Sequence, residues 1–77
     1  MEEARQIIRL DLRGDKCPIN WARSKAQLEL MGRGELLELL LDDPRSIRDL
    51  PRAAEAEGHS ILEIAPENGF WRVVIEK

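Results

Sequence analysis

Residues 10–20 read LDLRGDKCPIN and mark the passage from a strand to a helix. The apolar alternation that ends at Leu12 gives way to the polar run of residues 13–16, which is typical of a loop. Pro18 has a preset φ and lacks an N–H group, which suits the first position of an α-helix. The sequence therefore predicts Cys17 at or next to the cap of the first helix.

This placement predicts a reactive thiol at Cys17. Unpaired N–H groups and the positive end of the helix dipole favour a thiolate there, and Arg13 and Lys16 add positive charge nearby. The alternatives are that the cysteine is a small apolar core residue without chemistry and that the two cations are merely solvated. Because its neighbours have the composition of a loop, we interpret Cys17 as a nucleophile.

Working outward from this stretch, hydrophobic periodicity and turn residues predict the element order β-α-β-α-β-β. Pro51 favours a late start for the second helix, since proline is tolerated only in the first turn, and Asn68-Gly69 is a strong hairpin signal. We expect an α/β (α+β) two-layer sandwich, with a four-stranded mixed sheet and two helices packed on one face. A right-handed crossover makes the first two strands parallel. The predicted strands are residues 6–12, 35–42, 60–66 and 70–77, and the helices are residues 18 to about 31 and from between Ser46 and Asp49 to about Glu57.

The first helix has two candidate core faces. We predict that the bulkier face packs on the sheet, which leaves the other as an apolar patch beside Cys17 that either docks a partner or has no role. The bulkier face carries Trp21, Ser24, Leu28 and Met31, and the other carries Ile19, Ala22, Ala26 and Leu30.

Length and composition narrow the class of protein. The 77 residues predict a single domain over residues 1–77. One cysteine and one histidine exclude an internal disulfide and a CxxC pair, and supply too few ligands for most transition metals, so we expect no metal and no cofactor. The start, MEEARQ, does not have the pattern of a signal peptide, and the longest uncharged apolar run, Leu39–Leu41, cannot span a bilayer. We expect a cytoplasmic protein without membrane contact.

Charge is distributed unevenly along the chain. The net charge of −3 divides into +2 over residues 1–34 and −5 over residues 35–77. An acidic chain with three aromatic residues is poorly suited to binding nucleic acid directly, which needs basic patches and stacking platforms. The basic bias around Cys17 suits an acidic partner surface, or it reflects scattered solvated charges.

From residue 10 to the C-terminus, the ordered set of motifs resembles the TusA/SirA-like (YedF/YeeD-related) sulfur-carrier protein family. That family has a Leu-Arg-Gly loop, a Cys-Pro-x-Pro motif that opens a helix, a Gly-Glu strand ending in Asp-Asp-Pro, an Asp-x-Pro and a Gly-His. The matching positions are Leu12, Arg13 and Gly14, then Cys17 and Pro18, then Gly34, Glu35, Asp42, Asp43 and Pro44, then Asp49 and Pro51, and finally Gly58 and His59.

The resemblance implies a persulfide carrier of the sulfurtransferase type. It implies that the motif cysteine, Cys17, accepts sulfur from a cysteine desulfurase or a rhodanese-like donor and passes it to a thiol-bearing acceptor protein, towards tRNA thiolation, cofactor synthesis or sulfur oxidation. With no second cysteine to resolve the persulfide internally, delivery occurs in trans, and we expect a monomer. We predict that Arg13, Gly14, Lys16, Pro18 and Asn20 support the thiolate and that Ile19, Trp21 and Arg23 bind partners.

Asn20 departs from the family motif, which has its second proline at that position. Asn restores a backbone N–H and adds a side chain able to reach the helix cap, so the change is either functional or neutral. For the remaining polar candidates we favour structural roles. His59 is interpreted as a helix-terminal residue rather than a general acid, Asp42 and Asp43 as turn residues rather than a catalytic pair, and Asp49 as a helix cap.

Two further functions remain open beside the carrier. The chain is alternatively a noncatalytic interaction module that uses the surface around Ile19, Trp21 and Arg23, or a thiol redox sensor that forms sulfenic acid or a mixed disulfide at Cys17.

Overall fold

The structure is a computed structural model that describes residues 6–77. Residues 1–5 lie outside the described part. They include most of the MEEARQ segment, which does not have the sequence pattern of a signal peptide. The elements in chain order are β1 (Ile7–Asp11), α1 (Ile19–Leu30), β2 (Leu36–Leu41), α2 (Pro44–Ala56), β3 (Ser60–Pro66) and β4 (Trp71–Glu76). The predicted order is confirmed.

The four strands form one mixed sheet in the order β1-β2-β4-β3. β1 and β2 run parallel, with Leu10 opposite Leu39, while β4 lies antiparallel to both β2 and β3. The parallel pair confirms the predicted crossover through α1. The turn between β3 and β4 contains Gly69 at φ +87°, a conformation that glycine adopts at little cost, as the Asn-Gly signal predicts.

One face of the sheet packs on both helices. Alternate residues of the central strand β2 point into this layer, and Leu37, Leu39 and Leu41 are fully buried. Burying a leucine side chain contributes roughly 1.5–3 kcal/mol, so this strand anchors the core. The core also contains Leu12, Leu28, Met31, Leu50, Ala54, Val73 and Ile75.

The predicted core face of α1 is confirmed. Ser24, Leu28 and Met31 are buried and Trp21 packs against the core at its edge, whereas Ile19 is 57% and Leu30 83% exposed. Asn20 is also buried on this face, at 1% exposure, and the sequence pattern did not predict its burial.

The other face of the sheet carries an ion-pair network centred on Glu38. Although Glu38 belongs to the buried strand β2, its carboxylate accepts hydrogen bonds from Arg9 Nε at 2.5 Å and Arg72 Nη1 at 3.2 Å. These contacts hold the pKa of Glu38 below its ordinary value, and the hydrogen bond from Arg9 has the largest effect. Arg72 also pairs with Glu63 and Glu67, so the ion pairs on this face link all four strands.

The predicted start of α2 was wrong. The helix begins at Pro44, directly after Asp43, and Pro51 lies inside it. Pro44 occupies the first helical position, where a missing N–H costs nothing, and Pro51 interrupts only one turn of a helix that Leu50 and Ala54 hold in the core. Asp49 is consequently not a cap but a half-buried helical residue paired with Arg48 at 2.9 Å.

Within residues 6–77, no helix has both the length and the apolar composition needed to cross a membrane.

Candidate functional site

The candidate site lies at the sheet edge where β1 and β2 end. Because these strands are parallel, the loop that follows β1 and the turn that follows β2 emerge side by side. The first connection, residues 12–18, carries Cys17, and the second, residues 42–43, carries two aspartates. Sequence position separates these loops, and the crossover through α1 brings them together.

Asp42 holds the first half of the loop of residues 12–18, which we call the thiol loop. Its carboxylate accepts the Gly14 backbone N–H, at 3.0 Å from Oδ1 and 3.2 Å from Oδ2. Gly14 has φ +93° within a turn closed by the Asp15 N–H donating to the Leu12 carbonyl at 3.0 Å. A residue with a Cβ would be strained in this left-handed conformation, which explains a glycine here.

Asp43 holds the second half. Its Oδ2 accepts the Cys17 backbone N–H at 3.3 Å and the Ser46 hydroxyl at 2.8 Å. The Ser46 hydroxyl, followed by backbone N–H groups that include that of Cys17, holds the pKa of Asp43 below its ordinary value, so the carboxylate stays ionised near neutral pH. The two aspartates therefore tie the thiol loop to the start of α2.

Cys17 lies one residue before the cap of α1, with its side chain exposed. Pro18 is the cap residue, so the helix begins one position later than its proline predicted, and the Cys17–Pro18 peptide bond is cis. The first two N–H groups of the helix, from Ile19 and Asn20, donate to the Lys16 carbonyl at 2.7 and 3.2 Å. Those two groups are thus already engaged by the backbone.

Cations from α2 and from the loop before α1 contribute positive charge near the thiol. Arg45 and Lys16 line an open cleft of about 290 Å³ together with Cys17 and Asp43. The pKa of Arg48 is raised, first by its hydrogen bond and charge interaction with Asp49 and also by the negative charge of an ionised Cys17. The arginines of α2 were not among the predicted site residues.

The guanidinium of Arg13 contacts Asp11 and Phe70. Its guanidinium forms two hydrogen bonds with Asp11, at 3.0 and 2.8 Å, and lies 4.8 Å from the centre of the Phe70 ring. The hydrogen bonds from Arg13 hold the pKa of Asp11 at about 2. Arg13 therefore braces the start of the loop through Asp11, and Gly14 shapes it.

The predicted partner residues occupy different environments. Ile19 is exposed beside Cys17, whereas Arg23 forms an ion pair with Asp15 that links α1 to the loop. Trp21 lines a small cleft of about 80 Å³ between the two helices, which opens next to the thiol. The cleft is bounded by Cys17, Pro18, Asn20, Trp21, Ser46, Asp49, Leu50 and Ala53.

Asn20 reaches α2 rather than the cap of its own helix. Its Nδ2 donates to the Ser46 hydroxyl oxygen, which is itself buried at 1% exposure. Ser46 was absent from the predicted site. The signal that could have found it is its place in the first turn after Asp-Asp-Pro, because parallel strands bring that turn to the same edge as the thiol loop.

His59 lies at the opposite end of α2 from Cys17. Its N–H donates to the Ala54 carbonyl at 3.0 Å, and Gly58, at φ +94°, donates to the Glu55 carbonyl at 3.0 Å, which together close the helix end. This agrees with the helix-terminal role. Across residues 6–77, no group of three or more His, Cys, Asp or Glu side chains is arranged to hold a metal ion.

The fold and the site define a class: a small two-layer α+β protein that presents one exposed thiol where a strand passes into a helix. A family model described as "Sulfurtransferase TusA" matches residues 8–77. The chain therefore belongs to the TusA family, as its motifs predict.

Individual relatives agree with this assignment. A protein of Archaeoglobus fulgidus is 38% identical over 76 residues, covering 97% of this chain and 84% of the relative. The sulfur carrier protein TusA of Allochromatium vinosum is 32% identical over 68 residues, covering 88% of this chain and 90% of the relative. The crystal structure of a SirA-like protein from Desulfitobacterium hafniense has a TM-score of 0.79 and 31% identity, covering 90% and 95% of the two chains.

Proposed function

We propose that Cys17 accepts sulfane sulfur as a persulfide and relays it to an acceptor protein. The observation that carries the proposal is the exposed thiol of Cys17 at the start of α1, in a chain of the TusA family. An exposed thiol next to cationic side chains is suited to nucleophilic attack. The name of the Allochromatium vinosum relative, a sulfur carrier protein, supports the same role.

The transfer takes place in two thiol-exchange steps without net oxidation. The Cys17 thiolate attacks the outer sulfur of a persulfide on a donor protein, a new S–S bond forms, and the donor's own S–S bond breaks to leave the donor thiolate. An acceptor thiolate then attacks the outer sulfur of the Cys17 persulfide, and Cys17 leaves as a thiolate. The sequence contains no other cysteine, so both steps require a second protein.

The partners follow from this chemistry and from the family. We assign the donor to the cysteine desulfurases or rhodanese-like proteins, and the acceptor to a thiol-bearing protein that leads towards tRNA thiolation, cofactor synthesis or sulfur oxidation. The carrier works as a monomer in the cytoplasm, where thiols stay reduced. The surface offered to partners includes Ile19, which is 57% exposed beside the thiol, together with Trp21 and Arg23 of α1.

Intact-mass spectrometry tests the proposal. The purified protein is incubated with a cysteine desulfurase and cysteine, and in parallel with a rhodanese and thiosulfate. We expect a gain of one sulfur, about 32 Da, that a reducing agent removes and that Cys17→Ser lacks. Cys17→Ser is a matched control because the side chain is exposed and serine changes only its chemistry.

The other outcomes separate the remaining functions. No sulfur gain from either donor would overturn the carrier role and favour the interaction module. Oxidation of Cys17 by peroxide without any sulfur donor, together with no sulfur gain, would favour the redox sensor.

A further inference from the structure

A chain of hydrogen bonds runs from the side chain of Asn20 to the backbone of Cys17. Asn20 Nδ2 donates to Ser46 Oγ, the Ser46 hydroxyl donates to Asp43 Oδ2 at 2.8 Å, and that same oxygen accepts the Cys17 N–H at 3.3 Å. Because Asn20 follows Cys17 by three residues, the chain of contacts closes on itself through the first turn of α1. Both ends of segment 17–20 are thereby attached to the start of α2.

The donors and acceptors along this chain are consistent with one another. A serine hydroxyl can donate only one hydrogen bond, and that of Ser46 goes to Asp43. Its oxygen can therefore accept the hydrogen bond from Asn20. The Cys17 N–H can only donate, so it needs the carboxylate as an acceptor. The lowered pKa of Asp43, caused first by Ser46, agrees with an ionised carboxylate at this point.

Asn20 is a poor choice for stability alone. The residue is 1% exposed, and its Oδ1 has no hydrogen-bond partner within residues 6–77. A buried unpaired amide oxygen disfavours folding, and an apolar side chain would avoid that cost. What the amide adds is the Nδ2 donor to Ser46. Proline, the residue of the family motif, lacks this donor and also lacks the backbone N–H that Asn20 donates to Lys16.

We propose that Asn20 is a positioning residue that holds the backbone of Cys17 through Ser46 and Asp43; this rests on the sulfur transfer proposed for Cys17. Attack on a persulfide carried by a docked protein needs the Cys17 sulfur in line with the S–S bond that breaks, and small displacements slow such a step strongly. A small reagent reaches an exposed thiol from many directions and is insensitive to the same displacement. The hydrogen-bond chain therefore affects transfer between proteins rather than the intrinsic reactivity of the thiol.

The test compares Asn20→Ala, Ser46→Ala and the double variant with two controls. Ser46→Thr keeps the hydroxyl. Ser24→Ala is matched, since Ser24 is a fully buried serine of α1 whose hydroxyl donates to the Asn20 carbonyl at 2.8 Å rather than to Asp43. Three readouts are taken on each protein: hydrogen exchange of the Cys17 amide by NMR, the rate of Cys17 alkylation by iodoacetamide, and the rate of sulfur transfer from a cysteine desulfurase as its concentration is raised.

We expect Asn20→Ala and Ser46→Ala to speed exchange of the Cys17 amide at least about fivefold, while the amides of β2 exchange at their original rate. Transfer at saturating donor should fall about tenfold with an unchanged half-saturating concentration, and alkylation should stay within about twofold. The double variant should be no slower than Ser46→Ala, because both substitutions break one chain. Ser46→Thr and Ser24→Ala should behave like the original protein.

Unchanged Cys17 amide exchange in both single variants would overturn the positioning role. A double variant whose loss of transfer rate is the product of the two single losses would also overturn it. A faster exchange at β2 equal to that at Cys17 would also overturn it, since it would show general destabilisation. If the unsubstituted protein takes no sulfur, the proposed function fails, and the amide exchange still decides whether Asn20 holds the Cys17 backbone.

Discussion

The backbone N–H of Cys17 donates to Oδ2 of Asp43 at 3.3 Å, across 26 positions of sequence. This contact places a carboxylate beside the thiol loop, where Arg48 and Lys16 contribute the opposite charge. Charges of both signs therefore lie near Cys17, and single substitutions separate their effects on its reactivity.

Replacing Asp43 by Asn should speed alkylation of Cys17 by iodoacetamide about two- to fivefold at pH 7 and low salt. The substitution removes a negative charge that opposes the thiolate, while the amide oxygen still accepts the Cys17 N–H. Pseudo-first-order alkylation rates measure the effect. Glu55→Gln, an exposed carboxylate near the other end of α2, is the control and should leave the rate unchanged. A slower reaction of Asp43→Asn would show that its charge does not oppose the thiolate.

Replacing Arg48 by Gln should slow the same alkylation about twofold, because Arg48 and the negative charge of the reacting sulfur attract each other across solvent. The difference should vanish at 1 M salt, where the screening length is about 3 Å. Arg33→Gln provides the matched control, since Arg33 lines a cavity with His59 at the far end of α2. A salt-independent loss in Arg48→Gln would point to a packing defect instead of electrostatics.

Acid should destabilise the protein partly through Glu38. Its pKa is lowered in the folded state, so the stability it contributes is fully present above its ordinary value of 4.5 and is lost as the pH falls from there through the lower folded value. Glu38→Gln should reduce the free energy of unfolding at pH 7 by about 1–3 kcal/mol and flatten its decline below pH 4.5. Urea unfolding between pH 2 and pH 7 measures both effects. An equal slope in the two proteins would contradict the assignment.

Truncating Leu39 to Ala should cost about 2–5 kcal/mol of unfolding free energy, because its side chain is fully buried in the central strand. Leu30→Ala makes the same chemical change at a position that is 83% exposed and should stay within about 0.5 kcal/mol. Thermal and urea denaturation compare the two. Similar losses at both positions would mean that the outer face of α1 is covered in solution, for example by a partner copy.

The sequence alone predicted the architecture because the determining signals are local. Alternation along β1, the break at residues 13–16 and the Asn-Gly turn each depend on neighbouring residues, and all appear as predicted. The start of α2 was misjudged for the same reason. The expectation that Pro51 lies in the first turn led to a late start, whereas Pro44 marks the first helical position. Burial of Leu50 and Ala54 against the sheet sustains the helix through Pro51.

The thiol at the strand-to-helix junction was likewise determined by the sequence, since a loop composition followed by Cys-Pro specifies it locally. The surroundings of that thiol were decided only by the tertiary structure. Asp43 and Ser46 contact the Cys17 segment because β1 and β2 are parallel and end at the same edge, and Asn20 is buried because α2 covers it. Such contacts join residues 26 positions apart, and their energies depend on packing that no local pattern contains.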